Sequence, residues 1–409
     1  FIRTSSFPPR PHSEPMRHTF GWKRNTTRYA CQYSGRFYYG RASHISRPLR
    51  FLEGDRNDLW FRCHPYHRQE ADMKTVRIIG GGLAGLSLAT GLAKRRIPVE
   101  VIEAGSYPRH RVCGEFISGI DNSTLEQLGI AADLCDAKLH TTGHWYRQGR
   151  KIMTMELPNP ARSISRWRLD SRLRQRVERL GGKVMTETRA GRDPAEGTVL
   201  AAGRPIEKSR WLGLKCHIKG FRMESGLEMH LGSNGYVGIT PVEEDRFNIC
   251  GLFQLQPDCR GKGSDRLIAY LEQGGHHELV ERLRDSEIDE SSVSGVSALS
   301  LGWQKKEDGA FVVGDAGSVI PPFTGNGMSM AFESAFGSIE PLTAWSLAAE
   351  SWNSATKRAM LIQRQLFRKR IRASLALQRA LLDPRGQNVF EFLSSRNMVP
   401  FHALLSLVR

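Results

Sequence analysis

Along this chain, the clearest order in hydrophobic and polar positions begins near residue 75. The stretch "TVRIIGGGLAGLSLATGLAKRRIPVEVIEA" (75–104) puts Val76, Ile78 and Ile79 in a short buried strand. Three glycines follow, then a helix over 86–94 with Leu88 and Leu92 on its apolar side. Pro98 comes after that helix, and "VEVIE" reads as a second strand ending on Glu103. Further on, "DNSTLEQLGI" predicts a short helix opened by a Ser123–Glu126 capping box. In "SISRWRLDSRLRQRVERLGG" (163–182), Leu169, Leu173, Val177 and Leu180 recur at helical spacing, with charges on the other side. Residues 213–255 alternate with period two, and "SNG" and "EEDR" mark turns between antiparallel strands. A strand at 310–313 then runs into Gly314-Asp315, a Pro/Gly loop and a further helix. The tail, 354–382, predicts a basic amphipathic helix. Phe367, Ile371, Leu375 and Leu382 share one face, and Arg364, Arg368 and Arg372 lie elsewhere.

Residues 1–72 carry neither period and are rich in Arg, Pro, His and aromatics. They read as a disordered basic extension, with the working protein beginning at Met73. An organelle transit peptide or a basic interaction arm are the competing readings; a secretory signal is not, because there is no apolar core segment. The 409 residues allow one or two domains, and no window approaches ~18 apolar residues. The net charge of +17 sits at the ends: 13 Lys/Arg against 6 Asp/Glu in 1–72, and 11 against 4 in 336–409. That distribution argues against a nucleic-acid binder. Seven scattered cysteines without a C-x-x-C pair fit a reduced, cytoplasmic protein with no metal centre.

The candidate chemistry concentrates at the glycines. Gly80, Gly82 and Gly85 make G-x-G-x-x-G, with Leu83 and Ala84 between, directly after a strand and opening a helix. The first glycine permits the tight turn, the second lets a pyrophosphate approach the backbone, and the third lets helix and strand pack closely. The helix N-terminus offers N–H groups to phosphates, and Glu103 can accept from ribose hydroxyls. In "GAFVVGDAGSVIPPFTGNGMSMAFESA" (309–335), Asp315 at a strand end can bind ribityl hydroxyls. Amides of Gly325, Asn326, Gly327 and Met328, at a helix N-terminus, can face an electron-rich ring carbonyl.

These stretches, with "PRHRVCGE" (108–115), resemble the FAD-binding framework shared by geranylgeranyl-reductase-type flavoproteins, aromatic-ring hydroxylases and flavin-dependent halogenases. The resemblance spans roughly 76–335 and is nearest to the geranylgeranyl-reductase branch. It implies an α/β protein: a Rossmann-like FAD domain (73–182 and 296–345), a mixed or antiparallel substrate sheet (183–295) and a helical tail (346–409). By that likeness Gly80, Gly82, Gly85 and Glu103 bind the ADP half of FAD. Arg111 and Arg166 lie along the pyrophosphate–ribityl stretch, and Asp315 holds the ribityl chain. Residues 325–328 sit by the pyrimidine edge, and Cys113 lies near the ring, lining the cavity or giving a proton.

The implied activity is a FAD-dependent oxidoreductase, with NAD(P)H as electron donor and a hydrophobic prenyl, polyketide or aromatic substrate. Two chemistries stay open: hydride delivery to a carbon–carbon double bond, or hydroxylation with O2 through a C4a-hydroperoxide. A non-catalytic FAD-binding protein is a third reading. "TVLAAGRP" (198–205) lacks the Asp-Gly pair of many hydroxylases, and the Trp-x-Trp-x-Ile-Pro halogenase signature is absent. His230 and Tyr236 read as strand residues facing solvent, with proton donation the sharper alternative. His276-His277-Glu278 reads as a helix start rather than a metal site. The basic tail helix either packs on the FAD domain or docks peripherally on an anionic membrane.

Overall fold

In the computed structural model, the described residues are 29–33, 36–40, 73–204, 209–297, 299–305 and 309–409. Most of the 1–72 extension therefore lies outside them. Within it, Tyr29–Tyr33 and Arg36–Gly40 pair as an antiparallel hairpin with Tyr33 opposite Arg36. The sequence reading assigned that stretch no strands.

The unit from residue 73 onward is built on two sheets. One has five parallel strands in the order Phe311–Val312, Thr198–Leu200, Val76–Ile79, Val99–Ile102, Lys183–Met185. Because every strand runs the same way, Gly80, Glu103, Ala201 and Gly314 all lie at or just past C-terminal strand ends. The helix Leu83–Ala93 begins three residues earlier than its hydrophobic spacing indicated, and all of its residues are buried. It shares a core with Val76, Ile78, Val99 and Val101 of the sheet, and with the helices Arg166–Arg179 and Gly327–Ser346. Arg166–Arg179 is amphipathic as its spacing implied: Leu169, Leu173 and Val177 are buried, and Ser165 caps it by accepting from Arg168 N at 3.1 Å. Leu180, read as part of that stripe, lies beyond the last turn and is exposed.

The other sheet has eight strands, ordered Glu287–Ser297, Trp211–Lys219, Arg246–Gln254, Gly235–Pro241, Glu228–Leu231, Lys138–Arg147, Arg150–Ser163, Phe116–Ile117. All neighbours are antiparallel except Glu228–Leu231 with Lys138–Arg147. Alternation along its strands divides it into two faces. Leu212, Leu214, Cys216 and Ile218 join Val237, Ile239, Ile249 and Phe253 under the helices Gly263–Gln273 and His277–Arg284. The opposite face contributes Trp145, Met155, Met229, Tyr236 and Leu252 to a second apolar cluster.

The sheets divide the chain differently from the expected boundaries. The strands at 116–117 and 138–163, placed in the Rossmann-like part from sequence, belong to the mixed sheet. Those at 183–185 and 198–200, placed in the substrate sheet, belong to the parallel one. Strand membership is decided by partners far away in sequence, so a linear boundary could not capture it. The expected Ser123–Glu126 capping box does not form; the helix Asn122–Leu128 starts after Asp121, without a side-chain cap.

The tail helix, Trp352–Leu382, packs on the protein. Phe367 and Ile371 meet Ile320 and Met330, while Ala355 and Ala359 join the main core. Two shorter helices, Pro384–Ser395 and Phe401–Leu407, follow it. Among the described residues, no helix is long and apolar enough to cross a membrane.

Candidate active site

A cavity of about 1010 Å³ is lined by both sheets and the C-terminal helices. Its polar end gathers the C-terminal ends of four parallel strands: Gly80 and Gly82, Glu103, Ala202-Gly203, and Asp315. Leu83, Ala84, Arg111, Cys113, Arg166, Gly325, Gly327 and Met328 also reach its wall. Open-sheet ligand sites lie beyond carboxyl strand ends of this kind. Of the sequence-designated residues, Gly85 and Asn326 stand behind the wall. A Cβ on Gly85 would overlap the Gly80 carbonyl oxygen and come within 3.1 Å of Ala201 Cβ, so Gly85 permits close helix–strand packing. Asn326 is buried; it accepts from Ser118 Oγ at 3.0 Å and donates Nδ2 to Val408 O at 2.5 Å.

The glycines differ in what surrounds them. Gly80 has φ +110, and a Cβ there would press into the Ala201 carbonyl and within 2.6 Å of Ala202 Cα. Gly82 has an ordinary φ of −83, and a Cβ there would meet nothing within 4 Å. The open side of Gly82 is the cavity, where an approaching pyrophosphate would need it bare.

Glu103 is buried at the cavity edge. It accepts from Gly81 N at 2.7 Å, Gly105 N at 2.9 Å and Arg109 Nη2 at 2.6 Å. Burial pushes its carboxyl up, but the Gly105 amide, Arg109, Arg111 and the Gly81 amide together hold it below the usual carboxylate range. Arg111 lies 3.5 Å from Glu103 and 3.2 Å from Asp170, yet its buried Nε and Nη2 make no aligned hydrogen bond. Buried donors left so are costly and suit an incoming oxyanion. Arg166, which could pass for a solvated arginine before a helix, is instead nearly buried. It grips Asp170 through two bonds of 2.7 Å. Asp315 opens onto the cavity, with 47% of its side chain exposed. The protein packed around the carboxyl pushes it up, offset by Arg204, Arg166 and Arg111. These features fit a bound dinucleotide: bare backbone at Gly82, Arg111 N–H groups without an aligned hydrogen bond, and acids at two strand ends.

Cys113 borders the cavity, and burial raises its thiol pKa, so the proton stays on sulfur at neutral pH. His230 and Tyr236 are both buried, which corrects the solvent-facing reading. The mixed sheet is covered on both faces, so alternation there does not mark an exposed side. His230 belongs to a separate cluster, with Glu228 at 3.0 Å and Tyr146 stacked at 4.6 Å. Tyr236 reaches the cavity, but its hydroxyl lies 3.3 Å from Gln378 Oε1 and accepts from Phe323 N. His277 does open a helix.

The far end of the cavity is apolar. Trp145, Met153, Met155, Leu227, Met229 and Leu252 line it from the mixed sheet. Leu377, Leu381, Phe390, Phe401 and Leu404 line it from the C-terminal helices. Sequence reasoning missed this second wall. The signal was there in the apolar spacing of Phe401, Leu404, Leu405 and Val408.

Residues 78–115 match a family described as the NAD(P)-binding Rossmann-like domain. Digeranylgeranylglycerophospholipid reductase 2 of Methanosphaera stadtmanae is 24% identical over 311 residues, covering 63% of this chain and 75% of that one. Among solved structures, a geranylgeranyl bacteriochlorophyll reductase-like protein of Thermoplasma acidophilum superposes with a TM-score of 0.65. It is 17% identical, with 82% of this chain and 96% of the other covered. PqsL, a probable FAD-dependent monooxygenase of Pseudomonas aeruginosa, superposes with a TM-score of 0.58 at 16% identity, covering 78% and 99%. The two superpositions speak to the fold, and the reductase adds sequence likeness across most of the unit. Together with the strand-end geometry, they make this chain similar to FAD-dependent oxidoreductases of the geranylgeranyl-reductase and aromatic-ring-hydroxylase type.

Proposed function

We propose that FAD occupies the polar end of this cavity and that a hydrophobic, prenyl-like substrate enters the apolar end to have a carbon–carbon double bond reduced. NAD(P)H is the proposed electron donor. The observation that carries this reading is the cavity's division into a charged floor and a long apolar wall within one continuous space. A bound flavin supplies hydride transfer; the chain supplies binding, orientation and the exclusion of water.

In this reading Gly80, Gly82, Leu83 and Ala84 seat the pyrophosphate, with Gly85 keeping helix and strand close. Glu103 accepts from a ribose hydroxyl, exchanging part of its contact with Arg109. Arg111 turns N–H groups from Glu103 and Asp170 towards the phosphates, and Arg166 stays paired with Asp170. Asp315 accepts from ribityl hydroxyls. Gly325, Gly327 and Met328 bring helix-terminal amides to the ring edge, while Asn326 anchors their loop. Cys113 holds a proton on Sγ beside the reacting region and is the proposed acid. Tyr236 is the weaker candidate, because its hydroxyl is already engaged by Gln378 and Phe323.

The alternative, O2-dependent hydroxylation of an aromatic compound, uses the same floor. The reduction is preferred because the far wall is mostly apolar and Ala202 stands where many hydroxylases carry Asp. The test is anaerobic turnover of FAD-loaded protein with NADPH and a prenyl-chain substrate. A reduced double bond without O2 supports the reading; strict dependence on O2 uptake overturns it. The tail helix spends Phe367 and Ile371 on its own fold, so peripheral membrane docking remains a proposal resting on exposed Arg364, Arg368 and Arg372.

A further inference from the structure

Beside the cavity lies a cluster of ionisable groups that the proposed reaction does not use. Lys215, on the central strand Trp211–Lys219, is fully buried. Its Nζ sits 3.5 Å from Glu115 Oε1 and 3.1 Å from His110 Nδ1. Glu115 is also fully buried and has φ +54, a backbone setting that non-glycine residues rarely adopt. It accepts from His217 Nε2 at 2.7 Å and from Arg166 N at 3.0 Å. Opposite Lys215 and His217 the pairing with Glu287–Ser297 is interrupted: Lys215 faces Ser294, but His217 faces Asp289. His110 alone of the cluster's rings reaches the cavity wall. It stacks on Trp167 with ring centres 4.4 Å apart and meets His217 edge-on at 5.0 Å.

An ammonium has donors only, so its hydrogen bond to His110 makes Nδ1 the acceptor and puts the ring proton on Nε2. The charged and titratable groups facing His110 are Lys215, His217, Glu115 and Asp289. Burial, then Lys215 and His217, push its pKa down to about 4, against Glu115 and Asp289, so the ring is neutral at physiological pH. A donor bond to one ring nitrogen polarises the N–H at the other. The buried charge of Lys215 is thereby felt at the cavity wall without an ammonium being exposed there. The wall in question is the stretch that carries Arg109 and Arg111, where the reading above places an oxygen-rich dinucleotide.

We propose that Lys215 is a positioning residue that locks His110 as the neutral Nε2–H tautomer, and that His110 donates this N–H to an oxygen of FAD. The proposal rests on the flavin reading of the cavity for its ligand, but not for its tautomer. Nitrogen-detected NMR of histidine-labelled, ligand-free protein at neutral pH reads the tautomer directly. Wild type is expected to show His110 protonated at Nε2 only, and H110Q identifies the signal by its disappearance. Lys215→Met is expected to give a mixture of tautomers. A wild-type His110 protonated at Nδ1 overturns the lock, even if the buried Lys215→Met change prevents folding.

FAD titration, followed by flavin absorbance and fluorescence, tests the contact. His110→Phe keeps a ring for Trp167 to stack on but has no donor, whereas His110→Gln keeps an N–H. His110→Phe is expected to weaken FAD binding about tenfold, with His110→Gln near wild type. Equal affinity of wild type and His110→Phe overturns the contact. Wild-type protein that binds no FAD overturns both the contact and the flavin reading, while the NMR result still decides the lock.

Discussion

The two leading glycines of the motif should respond to one added methyl group in opposite ways. At Gly80, alanine must adopt φ +110 and push its Cβ into the Ala201 carbonyl and toward Ala202 Cα. Backbone strain of this kind costs about 1–3 kcal/mol, and the overlap with a neighbouring strand end adds to it. Gly80→Ala is therefore expected to lose about 2–4 kcal/mol of stability. At Gly82, φ is −83 and the new Cβ meets nothing within 4 Å. The modest cost of alanine at a helix N-cap is offset by reduced freedom in the unfolded chain, leaving stability within roughly 1 kcal/mol of wild type. The methyl group would nonetheless occupy the space where the proposed pyrophosphate would sit. FAD affinity is expected to fall by about 10- to 100-fold, or ~1.4–2.8 kcal/mol. Urea unfolding of the ligand-free proteins measures the first quantity, and flavin titration measures the second. The reasoning is refuted if Gly82→Ala binds FAD like wild type, or if Gly80→Ala unfolds at the wild-type urea concentration.

Three other outcomes follow from the same geometry. Cys113→Ala should keep FAD affinity within about threefold while lowering turnover by about 10²-fold or more, measured as kcat in the anaerobic assay; unchanged kcat removes Cys113 as the acid. Arg111→Met should weaken FAD binding by about tenfold or more, and the loss should shrink at high salt if the contact is to phosphate. Acid should destabilise the fold in two stages. His140 is held near 4 and His276 near 3 by burial, so between pH 6.5 and those values only the unfolded chain takes up their protons. Stability should thus be full above about 6.5 and decline below it. A second decline should begin near the ordinary carboxylate range as Glu103 and Asp136, the latter held near 2 by Arg172 and Arg168, lose their partners' advantage. Urea midpoints that stay flat between pH 7 and 5 would contradict the first stage.

What could be read from the sequence was local. The G-x-G-x-x-G turn, Glu103 at the next strand end and Asp315 with its following loop each carry their geometry within a few residues, and the fold sets them around one cavity. What could not be read depended on distant partners. In "GLKCHIKG" (213–220), Lys215 and His217 look like the solvent side of an alternating strand. They are buried because Glu115, a hundred residues earlier, meets them. His230 is hidden for the same reason, by Glu228, Arg282 and Tyr146. The mixed sheet recruits strands at 116–163 that the linear pattern grouped with the glycine motif. The capping-box pattern at Ser123 was a false signal, since Asp121 stands before the first helical turn instead.

The cavity floor draws on strand ends at Gly80, Glu103, Ala201 and Gly314, and its outermost member, Phe311–Val312, pairs with Thr198–Leu200 more than a hundred residues away. No contiguous half of the chain contains that floor. A nascent or proteolysed fragment ending before residue 311 would have the glycine turn but nothing to close it, and so no nucleotide-shaped hollow. A flavin bound there would lend its binding energy only to molecules whose last parallel strand has found its place.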